Sequence, residues 1–131
     1  MGSIGIMTAL LVGAGGFLGS VSRHLLGVWV QSIVGNAWIP AGTLTVNVVG
    51  CFLIGLVVGL AETRQLLGEG TRTFLAVGVL RGFTTFSAFG YDTISMVRDG
   101  QTLAAVGNVA LQIGLGLTAV WVGFSVSQQY S

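Results

Sequence analysis

The sequence predicts an all-α membrane protein with four transmembrane helices in a single small domain. Three observations support this prediction: the mean hydropathy is +0.90, 53% of the 131 residues are hydrophobic, and only 7% are charged. A chain with so few ionisable side chains cannot cover itself with a polar surface, so a lipid bilayer is its natural solvent. Lysine is absent and five basic residues nearly balance four acidic ones, so nothing indicates a nucleic-acid partner.

Four apolar segments are long enough to cross the hydrocarbon core, which takes about 20 residues at a rise of ~1.5 Å each. Their predicted ranges are 5–22, 43–61, 73–91 and 102–124. Between them we expect a partly amphipathic loop from Trp29 to Pro40, a second loop, "ETRQLLGEG", at 62–70, and a tight third loop, "RDG", at 98–100. The first segment follows no basic region and no clear cleavage site, so it is expected to be a retained helix.

The arginines are divided evenly between the two sides of this arrangement. Arg23 and Arg98 fall on one side, Arg64 and Arg72 fall on the other, and Arg81 lies within the third segment. Basic residues near the ends of membrane segments normally decide which side stays in the cytoplasm, and two against two gives no bias. We therefore hypothesise an antiparallel dual-topology dimer, in which two opposed copies meet through an isologous contact.

Glycines recur four residues apart in three of the segments: Gly15 and Gly19, Gly55 and Gly59, and Gly78 and Gly82. Such spacing lets helix backbones approach closely in lipid, so we interpret these pairs as helix-packing sites. The stretch "GAGGFLG" does not fit a dinucleotide-binding fingerprint, because its last glycine is one position late and a helical segment precedes it.

The stretch "RGFTTFSAFGYD", residues 81–92, brings a charge and several hydroxyls into the third segment. Thr84, Thr85 and Ser87 offer rotatable hydroxyls, and Gly82 weakens the helix before them. We predict that the third helix is broken near its middle. Non-helical backbone at membrane depth is tolerated only when it is buried in protein or faces water, so such a break would mark a site.

Three amide side chains lie inside the other segments. Asn47 is surrounded in sequence by Val, Leu, Ile and Gly, so its donors and acceptors must find partners. A simple interhelical hydrogen bond and a place in a conduction pathway would both satisfy it. Asn108 and Gln112, four residues apart in the fourth segment, are further candidates for such a pathway.

Phe86 and Phe89 lie on nearly one face of a helix, and the positive edge of an aromatic ring can receive an anion weakly. Core packing is the alternative for any two phenylalanines in a membrane helix. Together with the amide and hydroxyl donors, however, they suit a small, strongly hydrated anion better than a cation, because donors can replace its water shell.

Other classes of function are less well supported. A small proton-coupled multidrug transporter requires an acid in its first span, and residues 5–22 contain none. A membrane assembly subunit that transports nothing would use its polar residues only for helix contacts. Enzymatic activity is not expected, because His24 is the only histidine, Cys51 has no neighbouring base, and the carboxylates are scattered. We interpret His24 as interfacial and Cys51 as a small core residue.

Two stretches of the sequence resemble motifs of a known family. "GTLTVNVVGCFLIG" in the second segment and "GFTTFSAF" in the third are similar to motifs of the Fluc (CrcB) fluoride channels, and the order of the spans agrees over essentially the whole chain. The resemblance implies passive export of fluoride across the plasma membrane of a microbe by an antiparallel homodimer with two pores. It also implies a structural sodium ion at the centre. A sister subunit is the alternative partner.

The resemblance also assigns roles to individual residues. It makes Asn47, Phe86 and Phe89 pore residues and places pore hydroxyls at Thr85 and Ser87. It puts Arg23 and Asp92 at a vestibule or pore mouth.

Sodium would be held by main-chain carbonyls that fall here on Arg81 and Thr84. The arginine is a departure from the family pattern, because a guanidinium beside the ion would repel it. Either the side chain turns away and sodium still binds, or Arg81 itself supplies the central positive charge.

Overall fold

A computed structural model describes residues 2–35, 38–64, 68–84 and 86–129 of the chain. Every regular element in these ranges is helical, which confirms the predicted all-α class. The elements are, in chain order, α1 (Gly2–Val34), α2 (Ala41–Arg64), α3 (Glu69–Arg72), a π-helical segment (Thr73–Leu80), α4 (Arg81–Phe83), α5 (Phe86–Arg98) and α6 (Thr102–Gln129).

Four helical stretches in the described residues are long and apolar enough to cross a membrane: Gly5–Val34, Ala41–Leu60, Gly70–Arg98 and Thr102–Gln129. The third combines the π-helical segment and α4 with α5, on either side of an interruption. Large apolar side chains cover the outer surface, as Phe17, Leu103 and Trp121 illustrate at 69%, 86% and 68% exposure. Such a surface suits contact with lipid, and the chain is a multi-pass membrane protein.

The ends of the helices differ from the prediction at several places. The loop predicted from Trp29 is wrong over its first half, because α1 continues to Val34. α1 ends at this point because Gly35 has φ +73°, and its N–H donates to the Gln31 carbonyl. The third span likewise continues to Arg98 instead of ending at 91. Apolar composition marks only the part of a helix inside hydrocarbon, whereas polar residues can continue the helix into the interface.

The tight third loop is a glycine-terminated helix end. Gly100 has φ +81°, its N–H donates to the Val97 carbonyl at 3.1 Å, and the Gln101 N–H donates to the Met96 carbonyl at 2.8 Å. These two bonds form a Schellman motif, in which glycine is preferred because the conformation is left-handed. α6 begins one residue later, so α5 and α6 become neighbours.

Glycine-mediated contacts join the helices into two pairs. α1 packs against the π-helical segment and α4, and α2 packs mainly against α6. A Cβ atom added to Gly78 would lie 2.9 Å from the Cα atom of Gly15, and one added to Gly55 would collide with the backbone of Val120. The packing role predicted for the glycine pairs is therefore confirmed, since no larger side chain fits at these contacts.

Candidate functional site

The third span is interrupted at Thr84. α4 ends at Phe83, Thr84 takes an extended conformation with φ −81° and ψ 154°, and α5 begins at Phe86. The Thr84 N–H still donates to the Leu80 carbonyl at 3.1 Å, and its hydroxyl lies 3.5 Å from the Arg81 carbonyl. This confirms the predicted break near the middle of the span. The break directs the N-terminus of α5, the end of a helix that favours anions, into the interior of the span.

A cavity of about 260 Å³ lies beside this interruption, and we call it the break cavity. It is lined by residues of α2, α5 and α6 and by the residue at the break: Asn47, Cys51, Thr84, Phe86, Phe89, Gln112 and Ile113. These described residues include no charged side chain. The two rings lie with their centroids 5.6 Å apart and their planes inclined at 56°, and Phe86 is 84% exposed.

The fold therefore brings most of the predicted pore residues into one place. Asn47, Phe86, Phe89 and Gln112 share the break cavity, whereas Thr85 lies outside the described residues. Cys51, which we interpreted as a core residue, also lines the cavity. Its position one helical turn after Asn47 is the signal that could have placed it there.

A chain of side-chain hydrogen bonds runs behind the cavity, and we call it the amide relay. Asn47 Nδ2 donates to Gln112 Oε1 at 3.2 Å, and Gln112 Nε2 donates to Asn108 Oδ1 at 3.4 Å. Asn108 Nδ2 then donates to Thr93 Oγ1 at 3.0 Å, and this hydroxyl donates to the Phe89 carbonyl at 2.8 Å.

The relay explains where the polar residues of α6 lie. Asn108 is completely buried and Gln112 is 8% exposed, so neither faces lipid. Asn108 is not among the residues that line the break cavity. Thr93 was not among the predicted site residues; one helical turn after Phe89, its hydroxyl joins the relay to α5.

A second, larger cavity of about 670 Å³ opens on the other side of α5, and we call it the vestibule. The charged and polar residues that line it include Arg23, His24, Thr43, Ser87 and Asp92. Thr43 Oγ1 donates to Asp92 Oδ2 at 3.0 Å. The predicted mouth residues Arg23 and Asp92 thus lie together, and the predicted pore hydroxyl of Ser87 faces the vestibule.

Arg81 lies apart from both cavities, at the start of α4, and its side chain is exposed. It follows the π-helical segment directly and so lies well inside the third span, Gly70–Arg98. The described part of the chain offers no acidic partner to its guanidinium. The same residues contain no group of three His, Cys, Asp or Glu side chains that could hold a metal ion.

The chain is similar to known proteins over most of its length. Residues 10–124 match the model of the family described as CrcB-like protein, Camphor Resistance (CrcB). The chain is 44% identical over 117 residues to a protein of Rhizobium meliloti (strain 1021), covering 89% of this chain and 93% of that protein. It is 40% identical over 122 residues to a protein of Geobacter sulfurreducens, covering 93% and 98%.

A protein of Methanosarcina barkeri is 38% identical over 120 residues, covering 92% of this chain and 89% of that protein. The relatives from Rhizobium meliloti and Geobacter sulfurreducens carry the name fluoride-specific ion channel FluC. The Methanosarcina barkeri relative carries the name fluoride-specific ion channel FluC 3.

Proposed function

Because the chain belongs to the CrcB family, as its resemblance predicted, we propose that it forms a fluoride-selective channel through which fluoride leaves the cytoplasm passively across the plasma membrane. The observation that carries this proposal is the break cavity. At membrane depth, an interrupted helix, an amide and two phenylalanine rings face one small space whose described lining bears no charge.

These groups suit the chemistry of a small, strongly hydrated anion. Amide and hydroxyl donors can replace the water molecules that fluoride loses on entry, and ring edges can contact it without binding it too tightly to leave. In this proposal Asn47, the Thr85 hydroxyl and the rings of Phe86 and Phe89 contact the ion, and Gln112 completes the wall.

The route we propose enters through the vestibule. Arg23 attracts the anion there, and Ser87 donates to it close to the first turn of α5. Because Ser87 follows Phe86 directly, neighbouring side chains of one helix face the two cavities. We place the crossing between the two cavities at the beginning of α5.

We propose further that two chains assemble as an antiparallel homodimer. The even division of arginines supports both orientations. The 84% exposure of Phe86 and the exposure of Arg81 support a protein partner over lipid, because a guanidinium facing hydrocarbon at this depth is costly. Cysteine substitutions in the third loop, labelled from each side of sealed vesicles, should react from both sides; labelling from one side only contradicts dual topology.

The central positive charge comes from the protein itself in this proposal, and not from a sodium ion. The Arg81 and Thr84 carbonyls are oxygen ligands of the kind a hard cation accepts, but a permanent guanidinium on one ligating residue opposes a second cation there. We propose that Arg81 takes the place of sodium. Thermal unfolding should then be equal in sodium and in N-methylglucamine for the parent protein, and Arg81→Gly should become stabilised by sodium. Sodium-dependent stability of the parent would contradict this role.

The function itself is tested by reconstitution. The purified protein is placed in liposomes loaded with either fluoride or chloride, and release is followed with ion-selective electrodes. We expect rapid fluoride release and chloride release close to that of empty liposomes. Similar release of both ions, or of neither, would reject the proposal.

A further inference from the structure

The amide relay fixes the direction in which each of its side chains must point. The Phe89 carbonyl can only accept a hydrogen bond, so the hydroxyl of Thr93, 2.8 Å away, must use its single proton there. Toward Asn108 the same oxygen can then act only as an acceptor. Asn108 must therefore present its NH₂ group to Thr93, at 3.0 Å.

This constraint passes along the relay to the break cavity. With its NH₂ group on Thr93, Asn108 presents its carbonyl oxygen to Gln112, which must donate. Gln112 then presents its own oxygen to Asn47, which must donate with Nδ2. One hydroxyl proton on α5 is thus linked, through two amides of α6, to the orientation of an amide on α2.

We propose that Thr93 and Asn108 are positioning residues that hold the Asn47 amide with its nitrogen, and not its oxygen, on the Gln112 side of the break cavity. This inference rests on the proposed function. Rotating the Asn47 amide by 180° would exchange a donor for the lone pairs of an oxygen, which repel an anion. Because Asn108 is completely buried and uses both ends of its amide, it acts through Gln112 and does not contact the ion.

The test replaces the hydroxyl without changing the shape of the side chain. Thr93→Val removes the acceptor that holds the Asn108 NH₂ group, so the constraint that the relay places on the Asn47 amide is lost. We expect the fluoride concentration that gives half-maximal flux in liposomes to rise about fivefold, the factor that corresponds to one hydrogen bond. Thr93→Ser keeps the hydroxyl and should restore the parent value.

Two further variants complete the test. Thr93→Ala also lacks the hydroxyl and serves in place of Thr93→Val if that variant does not fold. Thr118→Val makes the same chemical change at an exposed position of α6 and should leave the half-maximal concentration unchanged.

The outcomes separate the relay from a merely structural contact and from the proposed function. A merely structural contact would lower the number of active channels, and hence the maximal flux, at an unchanged half-maximal concentration. That result would overturn the proposed positioning role. Failure of Thr93→Ser to restore the parent value would overturn it as well. A parent protein that releases no fluoride rejects the function itself.

Discussion

The break cavity and the vestibule lie on two sides of the same helix and differ in size and charge. The vestibule, at about 670 Å³, is lined by Arg23, His24 and Asp92, whereas the described lining of the break cavity, at about 260 Å³, is uncharged. Charged side chains are tolerated where water reaches them, and there the positive charge of Arg23 can attract an anion. Deeper in the membrane, a fixed positive charge would hold fluoride too strongly for conduction, so neutral donors and rings are better suited.

Because the described lining of the break cavity is uncharged, we expect a negative charge introduced there to reduce fluoride flux more than any other change. Asn47→Asp places an ionised carboxylate where the ion is expected to pass, and repulsion at about 4 Å with an effective dielectric constant of about 20 amounts to ~4 kcal/mol. We therefore expect fluoride flux to fall about a thousandfold in the liposome assay. Asn47→Ser, which keeps a donor, should lose much less; equal losses in both variants would contradict an electrostatic cause.

Removal of a ring should have an intermediate effect. Phe86→Ile or Phe89→Ile keeps an apolar side chain but removes the ring edge, so fluoride flux should fall by ~10-fold or more while the oligomeric state is unchanged. Size-exclusion chromatography measures the assembly and the electrode measures the flux. Phe17→Ile, at an exposed position of α1, is the matched control. Normal flux in both cavity variants would remove the rings from the mechanism.

The smallest effect is expected in the vestibule. Arg23→Gln removes a charge that attracts fluoride before it loses its water shell, so its flux should be about threefold below that of the parent at low ionic strength. The two fluxes should converge as salt shortens the Debye length to ~10 Å or less and screens Arg23 in the parent. Arg98→Gln, at the end of α5, changes the same charge outside the residues that line the vestibule and should have little effect. A loss at Arg23 that does not depend on salt would point to a structural role.

Local features of the sequence were enough to predict the main parts of this site. The hydroxyl-rich stretch after Gly82 predicted the helix break, and the spacing of Phe86 and Phe89 predicted that their rings would share a face. The same helical period places Ser87 about 100° away from Phe86, which could have assigned its hydroxyl to the vestibule. Thr93 could not be recognised in this way, because a hydroxyl in a helix satisfies itself on the preceding turn as often as it joins a neighbour.

Composition and residues close together in the chain were sufficient to predict that lipid surrounds this chain, that four helices cross the membrane and that the third is interrupted. The rotation of α2, α5 and α6 about their axes became known only from the folded chain. That rotation joins Asn47 to Gln112, 65 positions apart, and places Asn108 on Thr93. The pattern of apolar residues does not define this rotation, because lipid and the protein interior are equally apolar. Close packing at glycines and hydrogen bonds between amides define it instead.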